Sequence, residues 1–186
     1  MLWQLKWLPG HNTVFSMQIH KYCWQQILLH WVSALVIGWA LVSGFYVSGF
    51  DVEPATAHLV GFVNVGLTTL FIPVFLLRWL VRLVKARPGA LNENPQARRA
   101  AHAVHEGMYW LTALVLLSGV LMMDRAIDVF GWFAISPLIS DPSWLSAWLK
   151  LHVAANVVLT MVVALHVGAV ILHECSGRQV LRRMLP

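Results

Sequence analysis

Charge is what this 186-residue chain lacks: only 11% of its residues are Asp, Glu, Lys or Arg, while 59% are hydrophobic. A soluble globular chain carries about 25% charged residues, so the polar groups here are too few to cover a folded surface in water, and lipid is the more natural solvent. Cysteine is scarce as well. Cys23 and Cys175 both fall near expected helix ends on the same side of the membrane, and no disulfide framework is implied. The chain has no glycine-rich phosphate loop, no Cys-x-x-Cys-His site for covalent haem and no nucleophile–base arrangement. It also lacks internal repeats and low-complexity tracts. The opening MLWQLKWLPG has no long apolar region ahead of a small-residue cleavage site, so a cleavable signal peptide is not expected and the first span is expected to act as the insertion signal. The net charge of +5 raises nucleic acid as a partner. The basic residues, however, lie between apolar runs rather than in a patch with exposed aromatics, which argues against it.

What the chain has is long apolar runs. A bilayer core of about 30 Å takes roughly 20 apolar residues of helix, and only helices or closed barrels satisfy their own backbone in lipid. Four stretches qualify: 27–47, 59–77, 108–123 (reaching spanning length if begun near His102) and 151–172. They predict an all-α bundle of four transmembrane helices, roughly 24–48, 58–84, 102–123 and 148–173, in a single domain. Eleven of the thirteen basic residues fall on one side: Lys6, Lys21, Arg78, Arg82, Lys85, Arg87, Arg98, Arg99, Arg178, Arg182 and Arg183. Only Arg125 and Lys150 fall on the other, among Asp51, Glu53, Asp124, Asp128 and Asp141. By the positive-inside rule both termini are expected in the cytoplasm. The segment ARPGALNENPQARR reads as a polar linker. Residues 124–147, with Trp132, Phe133 and Trp144, read as an interfacial segment expected to hold a short helix.

Nine histidines are unusual in so apolar a chain. His30, His152 and His166 lie inside spans and His58 at the edge of one, where a polar side chain is costly and marks a functional candidate. Imidazole is an axial ligand of haem iron. His152 and His166 are 14 residues apart, which is about 21 Å along a helix and within about 40° of one face. One helix thus offers two imidazoles at two depths. His30 matches the depth of His166, and the two are expected to clamp one iron. His152 then needs a partner near the other surface. Gly44 and Gly119 lie 14 residues beyond His30 and His105, where positions without side chains would admit a macrocycle or simply let helices approach. His102 and His105 share one face at the entrance of the third span, suited to proton exchange, to haem propionates or to plain helix capping. Glu106 beside them is a candidate proton acceptor. Arg78 and Arg82 are candidate propionate partners or simple anchors. His11, His20 and His173 read as interfacial, the seven methionines as gap fillers.

These residues together resemble the bacterial cytochrome b561 family, related to the cytochrome b subunits of formate dehydrogenase and nickel–iron hydrogenase. The resemblance rests on His30-Trp31, Gly44 and Tyr46, Arg78 and Arg82, Ala101-His102 through His105 and Tyr109, Trp132-Phe133, His152 and His166, and the ending Leu181-Arg182-Arg183-Met184-Leu185-Pro186. It covers nearly the whole chain from Cys23 onward. It implies non-covalent haem b, one or two groups, with His30 and His166 on the inner haem and His152 on the outer. The family's second-span histidine falls at or beside Asn64 in this chain, and the nearest histidine, His58, is six residues earlier. His58 is therefore the candidate for the fourth ligand, provided the second helix is shifted along its axis.

The expected function is electron transfer in the bacterial inner membrane, between a redox partner such as a cytochrome c or dehydrogenase and the quinone pool. One alternative is a stand-alone superoxide:quinone oxidoreductase. That version wants a cationic outer face, and the two basic against five acidic residues there weigh against it. Another is a haem-poor membrane anchor subunit of a larger complex, a reading that the absence of a histidine at Asn64 favours and the His152–His166 spacing opposes.

Overall fold

The computed structural model describes residues 23–85, 95–177 and 180–184. His11, His20, Lys6, Lys21, Arg87, Arg178, Leu185 and Pro186, with most of the polar linker, lie outside the described residues. Four helices are long and apolar enough to cross a membrane. They are α1 (Trp24–Gly49), α2 (Pro54–Val84), α3 (Pro95–Leu121) and α4 (Pro142–Cys175). Their outward faces are apolar: Leu35, Val42 and Leu172 are each 72% exposed. In water such a surface would be untenable, and in a bilayer it is the solvated face. The protein is therefore a multi-pass membrane protein.

The helices pack as two antiparallel hairpins. Contact is extensive within α1–α2 and within α3–α4, and light between α2 and α3. Inside, small and hydroxyl side chains let the backbones approach. Ser33 and Ser118 are fully buried and Thr112 and Ala155 nearly so. The hydroxyls of Ser33 and Ser118 donate to Leu29 O at 2.6 Å and Leu114 O at 2.7 Å. Phe71 and Phe75 fill the α2 side of the interior, and Phe75, Trp79, Tyr109 and Trp110 continue as an aromatic ladder between α2 and α3. At mid-depth all four helices line a small cavity of about 30 Å³, bordered by Val36, Ala40, Thr68, Thr112 and Asn156.

Helix starts run earlier than the hydropathy suggests, because polar N-terminal signals extend them beyond the lipid. Pro54 and Pro95 open α2 and α3, and Asp141-Pro142 opens α4. Proline suits a first turn, where its missing N–H has no helical partner. The expected short interfacial helix is not what forms between α3 and α4. Residues Ile127–Val129 (β1) and Phe133–Ile135 (β2) pair antiparallel instead. The cause is local. Phe130 and Gly131 both take positive φ, 53° and 74°, the Trp132 N–H donates to Val129 O at 3.0 Å, and the Gly131 N–H donates to the Asp128 carboxylate at 2.8 Å. Two left-handed residues make a primed turn whose twist suits a hairpin. Left-handed backbone costs Phe130 on the order of 1–2 kcal/mol. The ring offsets this by packing edge-on to Phe62 at 5.5 Å and over Gly66.

Candidate functional site

The end of the bundle where α1 begins, α2 ends, α3 begins and α4 ends carries most of the described basic residues. There the four helices bring four polar stripes to one level. His30 enters from α1 and is half-buried. Arg78 and Arg82 come one turn apart from the end of α2. His105, Glu106 and Tyr109 come from α3, and His166 from α4. Arg78 Nη2 donates to His30 Nδ1 at 3.2 Å. His105 and His166 meet edge to face with ring centroids 5.1 Å apart. His30, in the second turn of α1, and His166, near the end of α4, stand at this same end of the bundle. The guanidinium carbons of Arg82 and Arg78 stand 4.1 Å and 5.1 Å from the Tyr109 ring centre, a geometry that stabilises desolvated cations.

Arg82 pairs with the Glu106 carboxylate, and His102 Nδ1 lies 3.7 Å from the same oxygen. The Arg82 side chain is only 11% exposed, and its Nη1 is fully buried with no hydrogen-bond partner among the described residues. A buried unspent donor is costly, and an inward-facing guanidinium in that condition fits an anionic oxygen supplied by a bound group. His105 Nδ1 lies 2.7 Å from Ala101 O; since a carbonyl only accepts, Nδ1 carries the ring proton of the neutral imidazole. The C-terminal turn closes over the same region. Leu181–Arg183 form a 3₁₀ turn (η1), Leu181 N–H donates to Glu174 at 3.1 Å, and the Trp31 indole donates to Met184 O at 2.9 Å. Trp31 in turn packs edge-on to His30 at 5.6 Å.

The opposite end is built differently. His152 Nδ1 faces Val115 O at 3.1 Å and Ser118 Oγ at 3.0 Å on α3. Its ring lies over Gly119, where an added Cβ would stand 3.2 Å from Cε1. Asn64 on α2 accepts from Ser43 at 3.0 Å and approaches Ala40 O on α1 at 3.5 Å. A Cβ at Gly44 would meet the Asn64 amide at 3.9 Å. His58 is exposed, in the first turns of α2.

The profile of the prokaryotic cytochrome b561 family matches residues 21–186. The chain belongs to that family. A comparison with curated proteins gives no significant match. Membership makes this cytochrome b561 relative a membrane b-type haem electron-transfer protein, with its haem held non-covalently. The basic end fits such a group. Two imidazoles reach it from helices of different hairpins, and two guanidiniums, one with an unspent donor, stand where carboxylates can be met. Among the described residues no three His, Cys, Asp or Glu side chains converge to hold a bare metal ion, but haem iron asks the protein for axial ligands only.

Of the residues singled out in the sequence, His30, His166, Arg78, Arg82, His105 and Glu106 are brought together. His152 and His58 stand apart from them. Sequence reasoning treated His105 as an entrance residue and missed its contact with His166. The signal was present in the i, i+4 stripe His105–Tyr109, which carries both contacts inward.

Proposed function

We propose that this cytochrome exchanges electrons between a redox partner and the quinone pool through haem b held by His30 and His166 at the basic end of the bundle. What carries the reading is that His30 bonded to Arg78, His166 against His105, and Arg82 with a buried and unspent guanidinium donor share one end of the bundle. The haem supplies reversible one-electron chemistry at iron. The chain's residues ligate, position and insulate. His30 and His166 would hold the iron through imidazole nitrogen, and Arg78 and Arg82 would pair with the haem carboxylates, Arg82 through its unspent donor while it keeps Glu106. Tyr109 backs both cations, and the apolar walls hold the dielectric low. Quinone chemistry also moves protons, and His102 with Glu106 forms a titratable pair at the water-facing edge of the same level. The excess of basic residues supports a cytoplasmic position for this end.

The test is haem content by pyridine haemochrome, with reduced-minus-oxidised spectra, on detergent-purified protein. His30→Ala and His166→Ala should each abolish the b-type α band, and quinol should reduce the haem of the unaltered protein. Full haem retention in both variants would sink the ligand assignment, and a haem inert to quinol would sink the quinone exchange.

A further inference from the structure

Two levels of histidine on α4 invite two haems, yet the two ends of the bundle are furnished unequally. We infer that this chain binds one haem only, at the basic end, and that His152 serves the hairpin end as a fastener between α3 and α4. The inference rests on the ligand reading for His30 and His166 and deepens it.

A second bis-imidazole haem needs a histidine facing His152 from the other hairpin. At that depth α2 presents Asn64, whose amide is committed to Ser43 and Ala40 of α1. An amide is not an ordinary haem ligand. The other histidine towards that end among the described residues is His58, which is exposed. It stands six residues before Asn64, about 9 Å along the helix and on a different face. α2 is continuous helix from Pro54 to Val84, and its interior proline, Pro73, lies beyond Asn64, so it leaves the spacing of His58 and Asn64 unchanged. The glycine that would admit a macrocycle beside α4, Gly119, is covered by the His152 ring itself.

The bonds of His152 fasten its own hairpin. Its Nδ1–H faces Val115 O and Ser118 Oγ, and the Ser118 hydroxyl donates on to Leu114 O. Asn64 makes the matching connection from α2 to α1. Each hairpin is thus stitched by one polar side chain towards the same end, and no polar bond there runs between the hairpins among the described residues. In lipid such interhelical hydrogen bonds replace the hydrophobic drive that water would supply. The half of the bundle facing the acidic loops then holds no redox centre. Electrons enter and leave through the basic half.

The deciding measurement is haem per polypeptide in purified protein, in the unaltered chain and in His58→Ala, His152→Ala and His152→Asn. The asparagine amide keeps a donor near Val115 O while removing the imidazole. One haem is expected in the unaltered chain, His58→Ala and His152→Asn, with thermal unfolding lowered in His152→Ala and largely restored in His152→Asn. Two haems in the unaltered chain would overturn the inference. So would a single haem that disappears in His152→Asn but survives His30→Ala, since the one site would then be at the hairpin end. No haem in the unaltered chain would instead overturn the electron-transfer reading from which the inference starts.

Discussion

The two ends of this bundle spend their polar side chains in opposite ways. At the basic end bonds and contacts cross between hairpins: Arg82 of α2 reaches Glu106 and Tyr109 of α3, and Phe75 and Trp79 of α2 meet Tyr109 and Trp110 of α3. A donor is left over. At the hairpin end each polar group closes on its own hairpin, Asn64 on Ser43 and His152 on Ser118 and Val115. A polar group inside lipid must be satisfied somewhere. Satisfaction within a hairpin makes structure, whereas incomplete satisfaction between hairpins leaves capacity for a guest.

The comparison is broken most directly at Arg82. Removing it takes the Arg82 partner from Glu106 and one of the two guanidinium contacts from Tyr109. The Arg82→Ala variant should lose about 2 kcal/mol of stability, below the 3–5 kcal/mol seen for fully buried pairs because Glu106 is 40% exposed. It should also release haem faster. Arg82→Lys should recover part of the stability but little haem retention, because a point charge cannot serve Glu106 and a second carboxylate as the guanidinium fork does. Thermal melts and haem-transfer kinetics to an acceptor such as apomyoglobin read the two effects separately. Equal haem off-rates in Arg82→Ala and the parent would remove Arg82 from the site.

That variant also shows what sequence alone revealed. The four spans followed from apolar runs and scarce charge, and the His30–His166 level followed from depth counting along helices. Arg82 and Tyr109 were legible only as a basic residue near a helix end and an aromatic near another. Their stacking depends on how α2 and α3 cross, and one-dimensional periodicity does not encode a crossing. The β-hairpin was hidden for a different reason. The aromatics of 130–133 suggested the membrane interface, but the turn is decided by two left-handed residues and the Asp128 carboxylate bond. Gly44 and Gly119 were readable as vacant positions, not as seats for Asn64 and His152, since what fills a gap is settled by the partner helix.

A smaller effect probes the hairpin end. A Cβ at Gly66 would lie 2.8 Å from the Phe130 ring, and that ring is braced by Phe62 and a left-handed backbone. Gly66→Ala should cost about 1.5 kcal/mol, in the range for overpacking a filled site, while leaving the haem α band unchanged. Adding Phe130→Leu should relieve most of the loss. A shifted haem spectrum in Gly66→Ala would show that the two ends are not independent. Asn64→Ala sits lower still, at about 1 kcal/mol for one interhelical bond in lipid, again without haem loss. Loss of haem there would make Asn64 part of the cofactor site and erase the contrast.

Asp141 gives the smallest effect and the one most sensitive to pH. As N-cap of α4 it accepts from the Ser143 N–H at 2.8 Å and the Trp144 N–H at 3.3 Å, and the Ser143 hydroxyl donates to it as well. The Ser143 hydroxyl and then the two backbone N–H groups hold its carboxyl below the ordinary carboxylate range. A carboxyl whose pKa is lower folded than unfolded stabilises the fold above its unfolded value, about 3.9, and loses that contribution as pH falls through the folded value. Asp141→Ala should therefore melt below the parent at pH 7, and the gap should narrow on acidification to pH 3. Asp141→Asn keeps an N-cap acceptor without titrating, so it should stay close to the parent at pH 7. A gap for Asp141→Ala that is as wide at pH 3 as at pH 7 would mean that the charged cap contributes nothing. The start of α4, and with it the depth at which His152 and His166 are presented, would then be set by Pro142 and the lipid boundary alone.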